Sequence, residues 1–179
     1  MLYGDNMRIS VIFVGENAAQ SDYAAANMLK DYLNKYGRVI IKKDTQYNLL
    51  DKFSPRRDIM IIGGPKVNKV YNIYRNELSP PYIDVSGNDV YIVDEDGNTC
   101  YRDAYSYHIG VIQTKRLHTT SIVDKIKNIM AFSGLDRWGT IGAVKAYIKY
   151  NIVDCMVLCY DDGEPYSYKK SCMSIPTGL

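Results

Sequence analysis

An α/β fold of three layers around a mostly parallel sheet is what this sequence predicts, and three observations carry the expectation. Apolar runs of strand length lie at 8–14, 58–62 and 129–133, and each ends in a loop of glycine and small residues leading into a helical pattern. Near-continuous apolar runs are those of strands buried on both faces, and strand–loop–helix repetition is what parallel pairing with helical crossovers requires. The chain, 179 residues long, suffices to bury such a core as a single domain. The class expected is therefore α/β and Rossmann-like or flavodoxin-like. A β-meander is inserted at about 80–103 and a short β extension follows at about 153–179.

In order, the strand at 8–14 ends at Gly15, and Ser21 or Asp22 is the expected cap of the next helix. Ala25, Met28, Leu29, Tyr32, Leu33 and Tyr36 recur at helical spacing, and Gly37 is expected to stop the helix. A second strand at 39–41 completes a βαβ unit, whose crossover should be right-handed. The polar stretch 47–57 reads as a connection with at most one helical turn. The strand at 58–62 runs into Gly63-Gly64-Pro65, and a short helix follows with Val67, Val70, Tyr71 and Tyr74 on one face. Segments 82–85, 89–93 and 99–102 alternate between turn signals and read as an antiparallel meander. The acidic stretch 94–98 fails the calcium-loop spacing and reads as a plain turn. A strand is expected at 108–113, a connector at 119–124 and the third strand–loop unit at 129–140. Its helix is expected from about Ile141, with Ala143, Ala146, Tyr147 and Tyr150 facing inward. A last strand at 155–160 turns toward 166–168, and the tail 171–179 is expected to fray.

Composition excludes more than it selects. A net charge of +2 with interspersed signs gives no footprint for nucleic acid. No run approaches the ~18 apolar residues of a membrane helix. Seventeen tyrosines stand against three phenylalanines. Read plainly, tyrosine replaces phenylalanine at half-buried sites; otherwise it lines a surface for carbohydrate or protein. Cys100, Cys155, Cys159 and Cys172 form no Cys-x-x-Cys pair, and His108 and His118 sit in no ligand spacing, so no metal or cofactor is expected. Buried free thiols are the expected state. A Cys159–Cys172 bond across the C-terminal hairpin is the alternative.

Loops at the carboxyl ends of parallel strands line the crevice where ligands bind, and helix N-termini point there. A small-molecule site should therefore collect Gly15, Glu16 and Asn17 from the first loop. Gly63, Gly64 and Asn68 come from the second, and Asp136, Arg137, Gly139 and Thr140 from the third. Each also has a plain structural reading. Gly63 and Gly64 supply positive φ or close approach, Gly139 or Thr140 caps a helix, Asp136 and Arg137 pair at the surface, and Glu16 balances a dipole. The loops match neither Gly-x-Gly-x-x-Gly nor the P-loop, and Gly-x-Ser-x-Gly is missing. Glu16 with Asp136 is the candidate acid–base pair. No catalytic residue is assigned.

The same loops carry a resemblance. Val14-Gly15-Glu16-Asn17-Ala18-Ala19 before its helix, Ile61-Ile62-Gly63-Gly64-Pro65-Lys66-Val67-Asn68, and Phe132-Ser133-Gly134-Leu135-Asp136-Arg137-Trp138-Gly139-Thr140 resemble, in order, three elements of the α/β domain of archaeal S-layer proteins. The resemblance spans roughly residues 7–150. It implies a non-catalytic structural or interaction domain that acts through self-association or a protein partner. The alternative is a small-molecule binding protein or enzyme, for a sugar or a phosphorylated ligand, using the three loops. The N-terminus lacks the pattern of a signal peptide, so a cytoplasmic location is expected as written, and the cell surface if the chain is a piece of a longer S-layer-like protein.

Overall fold

The structure is a computed structural model and describes residues 9–101, 107–115 and 128–176. Its strands are β1 (Ile9–Val14), β2 (Arg38–Lys43), β3 (Arg57–Ile62), β4 (Tyr82–Ser86), β5 (Asp89–Val93), β6 (Thr99–Tyr101), β7 (His108–Thr114), β8 (Ile129–Gly134), β9 (Cys155–Cys159) and β10 (Pro165–Lys169). The helices are α1 (Gln20–Leu33), α2 (Leu49–Phe53), α3 (Lys69–Tyr74) and α4 (Arg137–Tyr150). Seven strands form one sheet in the order β10-β9-β7-β8-β3-β1-β2, and β4-β5-β6 form a separate antiparallel sheet, as the meander pattern predicts.

The large sheet is mixed, which corrects the expectation of a mostly parallel one. Pairs β1–β2, β1–β3 and β3–β8 are parallel. Pairs β7–β8, β7–β9 and β9–β10 are antiparallel. An apolar run such as that of β7 reports burial on both faces, but direction is set by how the chain enters and leaves it. The expected C-terminal β extension is present as β9 and β10, which join the large sheet, and every residue of β9 is buried.

Alternation along the strands feeds two cores. Ile12, Val14, Met60 and Phe132 pack with Ala25 and Leu29 of α1 and with Ala143 and Val144 of α4. Val11, Phe13, Ile59 and Ile61 face the other way, under Tyr71 of α3 and Ile83 and Ile92 of the small sheet. Burying a residue of this size from extended chain contributes roughly 1.5–3 kcal/mol before entropy is counted.

Helix boundaries differ from expectation. Helix α1 begins at Gln20, with Ala19 at the cap position making no side-chain cap, so neither Ser21 nor Asp22 caps it. It ends at Leu33 with Asn34 following, and Gly37 stands outside it. Helix α4 starts at Arg137 because Asp136 accepts hydrogen bonds from the Trp138 and Gly139 N–H groups; neither Gly139 nor Thr140 is the cap. Tyr150, expected inward, is 47% exposed in the last turn of α4, where it borders β10 rather than entering the core.

The C-terminal segment is docked as far as residue 176. Cys172 is bonded to Cys100 across a sequence separation of 72, so the expected free state of these two thiols and the Cys159–Cys172 alternative are both corrected. The Cys172 N–H donates to Asp94 at 2.8 Å, and Ile175 enters the core. Burial opposes ionisation of Asp94. N–H donors from Cys172, Asn98 and Asp96 outweigh it and hold its carboxyl below the usual range. Cys155 and Cys159 are free and buried, and burial pushes their thiols up to about 11 and about 12, which removes them as nucleophiles. The connector expected at 119–124, His118, Arg102 and residues 177–179 lie outside the described residues.

Candidate functional site

The three loops do meet at the carboxyl ends of β1, β3 and β8, around a cleft of about 210 Å³. Its wall takes Gly63 and Gly64 from the β3 loop, and Asp136, Arg137 and Thr140 from the β8 loop and first turn of α4. The first turn of α1 contributes Ser21 and Asp22, and the small sheet contributes Ile83 and Val90. The loop after β1 leads to a helix on one face and the loop after β3 to a helix on the other. That divergence opens the crevice.

Five of the ten expected residues thus line the cleft. The rest hold the loops together. A Cβ on Gly15 would sit 1.8 Å from the carbonyl oxygen of Val67, so the two backbones touch and no larger residue fits. Asn68 is buried and staples two strands: its Nδ2 donates to the carbonyls of Phe13 at 3.0 Å and Ile62 at 2.8 Å, while its Oδ1 caps α3. Gly139 lets α4 lie on β7, since a Cβ there would meet the Ile109 carbonyl oxygen at 2.2 Å. Glu16 and Asn17 have exposed side chains outside the cleft. The Glu16 N–H donates to the buried Asp44 carboxylate, which also accepts from the Lys69 N–H. Asp44 welds the loops after β1, β2 and β3.

Glu16 and Asp136 are therefore not set as an acid–base pair. Asp136 is occupied: one oxygen caps α4, and the other lies 2.5 Å from Nδ1 of His108. Nε2 of that ring lies 3.1 Å from Oδ1 of Asp161, so His108 joins β7, the head of α4 and the turn after β9. From sequence this histidine sits in no ligand spacing and so marks no site. Its signal was a single polar residue at the head of an apolar run, which carries no distance information.

Asp22, an expected helix cap, is instead the unusual group of the site. The residue is 7% exposed, its carboxylate faces Gly63, and burial pushes its pKa up to about 6. Arg137 is exposed at the rim, with its guanidinium 5.0 Å from the centre of the Trp138 ring. Among the described residues no cluster of His, Cys, Asp and Glu is arranged to hold a metal ion, and no helix is long and apolar enough to cross a membrane.

No protein-family profile matches the chain, and no curated protein is similar to it.

Proposed function

We propose that this chain is a non-catalytic, S-layer-like structural or interaction domain that associates with further copies of itself. In finer terms we read its fold as three-layered and Rossmann-like or flavodoxin-like. Two buried clusters on opposite faces of the sheet support that layering.

The observation that carries the functional reading is the edge of the sheet at β10. Tyr150, Tyr160, Tyr166 and Tyr168 are 41–59% exposed there, beside a groove of about 500 Å³. Tyr166 stacks on Tyr160 at 4.5 Å and meets Tyr107 edge-on at 6.2 Å, which makes one aromatic surface. Among the described residues β10 pairs with β9 alone, with a bulge between Pro165 and Ser167, so it is an edge strand whose outer side is open to pairing from Ser167 onward. Antiparallel pairing with a second copy about Ser167 sets Tyr166 opposite Tyr168 and Glu164 opposite Lys170, aromatic on aromatic and acid on base. Glu164 also accepts from Lys149 in the same chain, which places it on that flank. The Cys100–Cys172 bond supports a place outside the cytoplasm, because such bonds persist in oxidising surroundings.

Light scattering tests the reading. It predicts a mass that is a multiple of the monomer's and falls toward the monomer in the Tyr166→Ser, Tyr168→Ser double variant. A monomer at every concentration would overturn it.

A second reading, a small-molecule site in the loops, is favoured by one observation: the buried Asp22 carboxylate has no partner among the described residues and faces an open cleft.

A further inference from the structure

The cleft at the ends of β1, β3 and β8 gathers polar groups that the fold leaves unused. Beside the Asp22 carboxylate, the Ser21 hydroxyl is buried with no hydrogen-bond partner. The Ser133 hydroxyl is also buried and unpartnered, but it lies under Gly64 and outside the cleft wall. Unpaired buried polar groups destabilise a fold, so two of them in the wall of one opening, Asp22 and Ser21, mark a place shaped for a ligand's own polar atoms.

The lining narrows the ligand class. Lys66 and Arg137 bring positive charge to the rim, but Asp22 and Asp136 bring as much negative charge, so the field does not select an anion. A phosphate reaching Ser21 would meet the Asp22 carboxylate and be repelled. Ligand hydroxyls would instead donate to that carboxylate and exchange hydrogen bonds with the Ser21 hydroxyl. Pro65, Ile83, Val90 and Leu135 form an apolar wall, suited to the C–H face of a ring, and the volume of about 210 Å³ leaves room for one ring rather than for a dinucleotide. We propose that this cleft binds the single ring of a neutral monosaccharide, with Asp22 and Ser21 receiving its hydroxyls and the apolar wall covering one face. The proposal rests on the small-molecule reading above and is independent of the β10 edge.

Isothermal titration with D-glucose, D-galactose and D-mannose, their 6-phosphates and inorganic phosphate tests it, with light scattering on the same samples. At least one neutral hexose should saturate one site per chain. Asp22→Ala should weaken that binding by about tenfold or more. Val90→Trp, which fills the cleft from β5, should abolish it, and circular dichroism checks that both variants fold. If Val90→Trp does not fold, Asp22→Ala alone decides. Hexose binding that is indifferent to Asp22→Ala would overturn the proposal. Binding of phosphate or hexose phosphates alone would overturn the neutral-sugar class while retaining a ligand site. Silence across the panel would remove both, and the mass from light scattering would still judge self-association separately.

Discussion

The half of the sheet made of β2, β1, β3 and β8 and the half made of β7, β9 and β10 are held by different means. In the first, backbones touch. Gly15 lies against the Val67 carbonyl, and the side chains of Asn68 and Asp44 fasten the neighbouring loop backbones there. In the second, the links are side chains far apart in sequence. His108 bridges Asp136 and Asp161, Asp154 accepts from both the N–H and the hydroxyl of Thr114, and Cys172, in the segment after β10, bonds Cys100 of the small sheet. The first arrangement is broken by an added atom at Gly15 and the second by the loss of a partner, although α4 also lies too close to β7 and β9 to admit a Cβ on Gly110, Gly139 or Gly142. The cleft lies where the two halves join.

Adding an atom to the first half should have the largest effect. Gly15→Val places carbon against the Val67 carbonyl oxygen, and relief requires the loops after β1 and β3 to part. The expected outcome is a loss of about 4 kcal/mol or more, read by urea unfolding, or no soluble protein. A variant as stable as the wild type would mean that the two loops are not in contact.

Removing a partner from the second half comes next. Cys172→Ser opens a bond spanning 72 positions, for which chain entropy gives a loss of about 4 kcal/mol. The loss should vanish when wild type and variant are compared in reductant. Asp136→Ala removes the cap of α4 and the partner of His108 together, at a cost of about 2 kcal/mol. Asp136→Asn should recover part of it, because an amide oxygen still caps the helix.

The last effect concerns the junction and has the opposite sign. Asp22 has a folded-state pKa of about 6 against 3.8 in the unfolded chain, so the folded state binds the proton more tightly. The stability this confers is present below pH 3.8 and is lost as pH rises through 6. Lys66 and Arg137 at the rim and Asp136 across the cleft face the same space. Asp22→Asn should therefore match the wild type near pH 4 and exceed it by about 2 kcal/mol near pH 8, measured as thermal stability across pH. An equal gain at both pH values would show that the carboxylate is not buried in its charged form.

The two halves also differ in how far they could be read from sequence. The apolar runs of β1, β3 and β8 mark strands buried on both faces, and the Gly-containing loops after them mark the cleft, because both signals are local. Direction is not local: β7 is as apolar as β8 yet runs against it. The Cys100–Cys172 bond and the His108–Asp136 contact join residues 72 and 28 positions apart, and no spacing rule reaches that far. Half of the expected site residues line the cleft because loop position predicts neighbourhood. Asp22 was missed because a carboxylate in a first helical turn usually faces solvent, and here the Gly63 loop covers it.

Hydrogen–deuterium exchange across a range of protein concentrations tests the central claim, self-association through β10, most directly. The amides of residues 165–169 should exchange more slowly as concentration rises, while those of the cleft loops at 63–66 and 134–137 stay unchanged. Exchange in β10 that does not depend on concentration would contradict it.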